Sequence, residues 1–352
     1  MQALILAGGE GTRLRPLTET IPKPVMPLAG RPHIAYVIEW LARHGVDDVV
    51  VSCGHLAAGV RAALKGATAP RLSFVEEPEA RGTAGAIRFA EAELGERFLV
   101  LNGDVLCDLD LTALVEQHER TAARATIALY PVAEPSAYGL VRRSEDGEIR
   151  EFLEKPDRGT IDQHQSDIDE INAGAYVLER SVLDLVPPGR AVSIEREVFP
   201  RLVGGGLYGR RLEGYWIDIG TPERYLQANW DILERHVETA VGKRLDPDGL
   251  LVELDADRAK DAALFPPALL GAGSSVTAGA SVGPRAVIGA GGEIGEGASV
   301  RSSVLLENCR VGAGATLDGA ILAPEAEVAP GAELAPGSVA GRGERVGGGL
   351  PA

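Results

Sequence analysis

Cysteine is almost missing from this chain: three in 352 residues, Cys53, Cys107 and Cys309. The number is odd and no pair has metal-ligand spacing, so neither a disulfide framework nor a cysteine-bound zinc organises the fold. Reduced thiols of a cytoplasmic protein are expected. Long apolar runs are missing too. The opening run is about five residues with no basic segment before it, too short for a signal peptide or a membrane span. Aromatic residues make up only 5%. Positive charge is in deficit, with 35 Lys and Arg against 51 Asp and Glu and a formal net charge of -16. That balance argues against nucleic acid and membrane as partners, but not against a small anion met by a local group of cations. Glycine (44) and proline (22) are plentiful, so part of the chain is dense in turns.

The chain divides into halves with different patterning. Up to residue 236, strand-like and helix-like segments alternate: "QALILA", then helical "PHIAYVIEWLARHG", "DDVVVSC", "LAAGVRAALKG", "LSFVEE", "TAGAIRFAEAEL" and "RFLVLNGD". Continuous apolar strands in a βαβα rhythm predict an α/β domain with a parallel sheet covered by helices. "ATIALYPV", "GEIREFLEKP" and "INAGAYVLE" read as further strands of a mixed extension. Ligands of such sheets lie beyond the carboxyl ends of the strands, where the opening glycine loop and "NGD" at 102 to 104 both fall.

Beyond residue 262 an aliphatic recurs every six residues, at Leu270, Val276, Val282, Ile288, Ile294 and Val300. The register then slips by one and continues at Leu305, Val311, Leu317, Leu322, Val328 and Leu334. This period fits neither a helix nor an alternating strand. It resembles the left-handed parallel β-helix of hexapeptide-repeat proteins, with roughly four coils. The expected division is 1–236, a connecting segment 237–262, and a β-helix 263–345.

"LILAGGEGTRLRP" at 4 to 16 ends an apolar strand on glycines and arginines. Gly8, Gly9 and Gly11 lack the spacing of a dinucleotide fingerprint, and no lysine follows as a Walker A loop requires. Arg13, Arg15 and Lys23 nevertheless lie close together against only Glu10 and Glu19. Glycines let backbone N–H groups approach an anion, and arginine adds paired contacts to phosphate oxygens. In "PKPVMP" Lys23 stands between two prolines, whose restricted backbone aims a side chain rather than merely displaying it.

"LAGGEGTRLRPLTETIPKPVMP" resembles the opening motif of the nucleotide-sugar pyrophosphorylases, the nucleoside triphosphate:sugar-1-phosphate nucleotidyltransferases. The resemblance continues in family order through "GTAGAI", "NGD", "AYGLV", "FLEKP", "INAGAYVLE", "SIEREVFP" and "GYWIDIGTPERYLQAN". It implies a Rossmann-like nucleotidyltransferase domain followed by the β-helix. The implied reaction is attack by a sugar-1-phosphate oxygen on the α-phosphorus of a nucleoside triphosphate, expelling pyrophosphate. Positioning and charge neutralisation dominate such a step.

The resemblance further implies catalytic roles for Arg13, at the leaving pyrophosphate, and Lys23, near the α-phosphate. Leu6, Ala7, Gly8, Gly9, Gly11, Thr12, Glu76, Glu77, Gly82, Thr83, Asn102 and Gly103 would contact the nucleotide. Gly139, Glu154, Lys155 and Asn172 would contact the sugar phosphate. Asp104 and Asp218 would hold Mg²⁺, which prefers one or two carboxylates together with phosphate oxygens. Glu154 and Lys155 are neighbours, so sharing one pocket requires a bulge or a strand end. Asp110 reads instead as the cap of "LTALVEQHER", Asp108 is ambiguous, and Thr221-Pro222 reads as cap and first helical residue.

Pyrimidine-transferring relatives place a glutamine where this chain has "FVEEPEARGTAGA". An ionised carboxylate only accepts hydrogen bonds. Guanine offers it two adjacent donors, whereas uracil and thymine offer one donor flanked by carbonyls. The sequence does not separate Glu76 from Glu77. "GTAGA", "NGDVLCD", "EPSAYG" and "SIEREVFP" most resemble mannose-1-phosphate guanylyltransferases, so GTP and mannose 1-phosphate are the expected substrates. Glucose 1-phosphate with dTTP or UTP is the alternative, and a regulatory subunit that only binds a nucleotide-sugar is a further one. The histidines, at 33, 44, 55, 118, 164 and 236, all precede the β-helix, which removes the usual general base of a hexapeptide acyltransferase. The tail is expected to support the domain or to join copies into a homo-oligomer.

Overall fold

The computed structural model describes residues 1–54, 56–66, 70–132, 138–155 and 170–347. Residues 134 to 137 of "EPSAYG", including Ala137 of "AYGLV", and Pro156 of "FLEKP" lie outside the described residues. The chain groups into two compact units, Met1–Gly9 with Val37–Trp216, and Glu10–Tyr36 with Ile217–Ala352. This grouping assigns the loop after the first strand to the C-terminal half, a division not visible in the sequence pattern.

The first unit is built on a nine-stranded sheet. Its parallel part comes from the alternation β1 (Gln2–Ala7), α1 (His33–Arg43), β2 (Asp48–Cys53), α2 (Ala57–Ala63), β3 (Arg71–Glu76), α3 (Gly82–Phe89) and β4 (Arg97–Asn102). β1 pairs in parallel with β2 on one side and β4 on the other, and β2 pairs with β3. Val49, Val50 and Val51 are buried, as are Phe98 to Leu101, as expected for strands covered on both faces. Strand order reverses between β1 and β4, and the crevice outside their carboxyl ends is the general ligand position of open α/β sheets.

After α4 (Leu111–Thr121), the strands β5 (Ala125–Pro131), β6 (Gly139–Arg143), β7 (Ile149–Glu154), β8 (Glu170–Glu179) and β9 (Leu207–Arg211) complete the sheet. β8 runs antiparallel to both β4 and β5, which makes the sheet mixed. Asp110 caps α4, accepting from the Ala113 amide at 3.1 Å. The few aromatics are concentrated: the ring of Phe199 lies 5.4 Å from Phe152 and 5.1 Å from Tyr176. Truncating a buried Phe of this kind costs about 3–5 kcal/mol.

In the second unit, Thr221 caps α5 (Pro222–Leu233), accepting from the Arg224 amide. The β-helix follows as three parallel sheets of six, six and five short strands. Its first strand, Leu250–Val252, pairs with Ala268–Leu270. The stack therefore starts inside the stretch expected to connect the halves, and has more rungs than the roughly four expected from the period. In that first rung Val252, Arg258 and Leu264 are register partners of Leu270, Val276 and Val282. An arginine in an aliphatic position masks the repeat. The register slip is a shortened corner: Ser302, with φ 48°, and Gly319, with φ 66°, turn the chain between Val300 and Leu305 and between Leu317 and Leu322. Among the described residues no helix is long and apolar enough to cross a membrane.

Candidate active site

In the first unit, the sheet brings Leu6 and Ala7 at the end of β1 beside Asn102 at the end of β4. The Gly103 amide donates to the Leu6 carbonyl at 2.9 Å. A Cβ at Gly103 would stand 2.6 Å from that oxygen, so only glycine admits the approach. Gly8 follows directly, half-buried, and Gly9 is exposed with open space around it.

Glu76 and Glu77 separate clearly. Glu76 is exposed and pairs with Arg61 at 3.5 Å. Glu77 is buried, and its Oε1 lies 3.4 Å from where a Cβ on Gly8 would stand. Ser52 Oγ donates to that same oxygen at 2.7 Å. Burial raises the Glu77 carboxyl above the ordinary glutamate value, and the Ser52 hydrogen bond opposes part of the shift. Of the two carboxylates, Glu77 is the one facing the glycine turn.

Thr83 serves its neighbours: its hydroxyl donates to Glu195 Oε2 at 2.7 Å and accepts from the Ile194 amide at 2.8 Å. Gly82 has φ 67° and abuts the Val192 backbone. Ser193 Oγ also donates to Glu195, at 2.6 Å. The sequence reading gave Glu195 no role, although "SIEREVFP" contains it. Asn172 Nδ2 donates to the Tyr176 hydroxyl at 2.9 Å. That hydroxyl is held well above the ordinary phenol value by burial, with Glu195, Glu154 and Asp104 adding in the same direction. The three carboxylates therefore share one neighbourhood, with Asp104 half-buried in the turn after Asn102.

Gly139 and Glu154 are cross-strand partners, and a Cβ on Gly139 would stand 2.8 Å from Glu154 Oε2. Glu154 ends its strand and Lys155 turns with φ 48°, so strand alternation no longer separates their side chains. Lys155 Nζ lies 3.5 Å from Glu154 Oε1. Burial raises the Glu154 carboxyl, and Lys155 partly offsets this. Asp108 has a local task, its Oδ1 accepting from the Tyr215 amide at 2.7 Å.

The second unit holds Arg13 and Lys23. Gly11, with φ 63°, opens a short helical turn Thr12–Leu14, and its carbonyl accepts from Thr18 Oγ1 at 2.7 Å. Thr12 and Arg13 are exposed, whereas Leu14 and Leu17 are fully buried and anchor the segment. Lys23 begins a second turn, Lys23–Val25, and its side chain is only 9% exposed. It is not a solvated lysine.

Asp218 stands at the centre. Lys23 Nζ is 3.9 Å from its Oδ1, Arg13 Nη2 is 3.9 Å from its Oδ2, and Arg224 Nη1 is 3.3 Å from Oδ2. The Gly220 amide donates to Oδ1 at 2.7 Å. A Cβ on Gly220 would stand 2.7 Å from Arg13 Nη2. Three cations thus surround one carboxylate, an excess of positive charge in an acidic chain. Sequence reasoning found Arg13, Lys23 and Asp218 but not Arg224 or Gly220. The available signal was "IDIGTPER", which returns an arginine one helical turn after the cap.

Among the described residues, Asp231, Glu234 and His236 also bring potential metal-ligand atoms within 4.8 Å of one another. They are engaged locally: His236 with Asp231 at 3.0 Å, and Glu234 with Arg285 at 2.5 Å. Cys53, Cys107 and Cys309 are free and buried. Burial pushes the Cys53 thiol up to about 11, as expected of unreactive sulfur.

The family described as Nucleotidyl transferase matches residues 2–235, and the GMPPB C-terminal domain matches residues 264–350. A mannose-1-phosphate guanylyltransferase of Mycobacterium tuberculosis is 36% identical over 293 residues, covering 80% of this chain and 76% of that protein. A mannose-1-phosphate guanyltransferase of Yarrowia lipolytica is 41% identical over 64% of this chain and 62% of its own length. A UTP--glucose-1-phosphate uridylyltransferase of Synechocystis is 33% identical over 90% of this chain and 86% of that protein. Among solved structures, HddC from Yersinia pseudotuberculosis complexed with GMP-PN superposes with a TM-score of 0.56 at 28% identity, covering 65% of this chain and 97% of that one. The chain belongs to the nucleotidyl transferase family, whose members generally use a divalent metal.

Proposed function

We propose that this protein transfers a guanylyl group from GTP to mannose 1-phosphate, releasing pyrophosphate and forming GDP-mannose. The observation that carries the reading is the buried Lys23, 3.9 Å from an Asp218 that also faces Arg13 and Arg224. Such a group is built to receive polyanions and to hold the cations aimed while it waits. The guanylyltransferase names of similar proteins support the base and the sugar.

In the step itself, an oxygen of the sugar phosphate attacks the α-phosphorus. The bond from that phosphorus to the β-bridging oxygen breaks, and pyrophosphate leaves with the electron pair. Lys23 offsets charge building on the α-phosphate, and Arg13 offsets charge on the departing pyrophosphate. Backbone N–H groups at Gly8, Gly9 and Gly11, with Thr12, cradle the triphosphate. Leu6, Ala7, Asn102 and Gly103 line the strand ends below it, and Gly82 and Thr83 shape the neighbouring turn. Glu77, rather than Glu76, accepts from guanine N1–H and the 2-amino group, with Ser52 fixing its carboxylate.

Glu154 and Asn172 accept from or donate to sugar hydroxyls, Gly139 leaves Glu154 its room, and Lys155 neutralises the incoming phosphate. A divalent ion, Mg²⁺ by preference, supplies Lewis-acid neutralisation of the phosphate oxygens when bound. Asp104, in its acidic neighbourhood, fits a hard cation. Asp218 would be the ion's second carboxylate, and in this structure it faces Arg13 and Lys23. On this reading the protein works in the cytoplasm and assembles as a homo-oligomer, the second of which a solution mass checks.

Pyrophosphate release with Mg²⁺, GTP and mannose 1-phosphate tests the reading. UTP or dTTP with glucose 1-phosphate is the competing pair, favoured by the extent of similarity to the Synechocystis uridylyltransferase. No release with any pair would make the chain a binding subunit.

A further inference from the structure

One sheet of the β-helix is apolar on both faces. Leu270, Ile288, Leu305 and Leu322 point into the interior cluster of the coil. Their strand neighbours Leu269, Val287, Val304 and Ile321 lie outside that cluster, yet all four are buried. The corresponding outward positions of the second sheet are Ser275, Glu293, Arg310, Glu327 and Arg345. Those of the third are Ser281, Ser299, Thr316 and Glu333. An apolar outward column in one sheet only is a face built to be covered within the folded unit.

The segment Glu10–Tyr36, which carries Arg13 and Lys23, groups with this half of the chain. It meets the apolar sheet near both ends. A Cβ on Gly30 would stand 3.8 Å from Leu269 Cδ2. A Cβ on Gly341, directly after the last strand of the sheet at Val339–Ala340, would stand 3.4 Å from Pro16 Cβ and 3.6 Å from Pro16 Cγ. Pro16 follows the turn Thr12–Leu14 closely. Gly341 has no left-handed backbone to protect, and its amide donates to Glu344 Oε2 at 2.6 Å. A Cβ there also stands 3.3 Å from Glu344 Oε2, the end of an exposed side chain that can move away, so a larger residue presses on Pro16.

We infer that this face of the β-helix is the seat of the phosphate-handling loop, and that Gly341 is a positioning residue that sets Arg13 through Pro16. The inference rests on the proposed transferase reading for its consequence, though not for its geometry. The β-helix is then a working part of the transferase, beyond any role in joining copies.

The test uses the full chain with Gly341→Ala, Gly341→Val and Gly341→Leu, and Arg342→Ala as a control. Arg342 is the next residue and pairs outward with Glu325 at 2.6 Å. Two quantities are read: amide hydrogen exchange at Leu14 and Arg15, whose N–H groups donate to Gly11 and Thr12, and steady-state kcat and KM. Ala, whose Cβ meets Pro16 at ordinary contact distance, should match wild type. Exchange should quicken and kcat fall in Val and further in Leu, reaching about 10–100-fold for Leu, the usual scale for small misplacements of catalytic groups. KM for the sugar phosphate should stay level, as should both readouts in Arg342→Ala. Adding Pro16→Ala to Gly341→Leu should recover part of the rate.

Unchanged exchange with unchanged rates overturns the inference, as does faster exchange without loss of rate. Should the Leu variant unfold, the same two readouts on the Val variant decide. If the wild type releases no pyrophosphate, the transferase reading has failed, while the exchange series still decides whether Gly341 seats the loop.

Discussion

The strand ends of the first unit and the loop of the second handle charge in opposite ways. Around Tyr176 the first unit gathers Asp104, Glu154 and Glu195, and buries Glu77 beside Gly8, with Lys155 and Arg196 acting on Glu154 and Arg81 on Glu77. The second unit turns Arg13, Lys23 and Arg224 onto the single carboxylate of Asp218. An acidic chain can thus present positive charge locally, with three cations turned onto one carboxylate. On the proposed function these carboxylates meet donors: hydroxyls, a purine edge and a metal ion.

The comparison breaks most severely at its extremes. Lys23→Ala and Asp104→Ala should each lower turnover by about 100-fold or more, the scale for losing a group that meets transition-state charge. Circular dichroism should show both still folded. Wild-type rates for both would remove the assignments.

Asp218→Asn should cost less, about tenfold in kcat. It leaves Lys23, Arg13 and Arg224 repelling one another but keeps an acceptor for the Gly220 amide. Rates equal to wild type would mean that those cations need no anchor.

Glu77→Gln sharpens the other side. Weakening one charged hydrogen-bonded contact to the base should reduce the preference for GTP about tenfold. Its effect on stability has the opposite sign. The folded chain holds the Glu77 proton above the pH at which an unfolded chain loses it. Stability therefore falls as pH rises from the ordinary glutamate range, about 4.3, through the raised value. Glutamine removes that loss, so the variant should melt higher than wild type at pH 7 and equally at pH 3. A lower melting point at pH 7 would contradict the burial argument.

Smallest of all, Asp110→Ala should remove about 1 kcal/mol of stability through the lost helix cap. It should leave the rate untouched, separating a capping aspartate from those with chemistry.

Much of this was legible in the sequence, for identifiable reasons. Parallel strands buried on both faces read as continuous apolar runs, so β1, β2 and β4 stood out. The prolines around Lys23 indicated an aimed side chain, and the structure buries it. Gly220 and Glu195 were not legible, because each acts across a turn whose shape depends on its partners, whereas Arg224 had a signal in its spacing from the Thr221 cap. The double aliphatics Leu269-Leu270, Val287-Ile288, Val304-Leu305 and Ile321-Leu322 were legible but were read only as interior repeats. A single aliphatic fills a coil, whereas a second one beside it marks a covered outer face. The first rung escaped notice because Arg258 occupies an interior register position.

The most direct measurement is pyrophosphate release from the purified full-length chain with Mg²⁺, crossing four nucleoside triphosphates with mannose, glucose and galactose 1-phosphates. The account predicts the highest kcat/KM for GTP with mannose 1-phosphate, and its collapse in Lys23→Ala. A higher value for UTP or dTTP with glucose 1-phosphate would contradict the assignment of Glu77 as a guanine reader. No release from any pair would contradict the account as a whole.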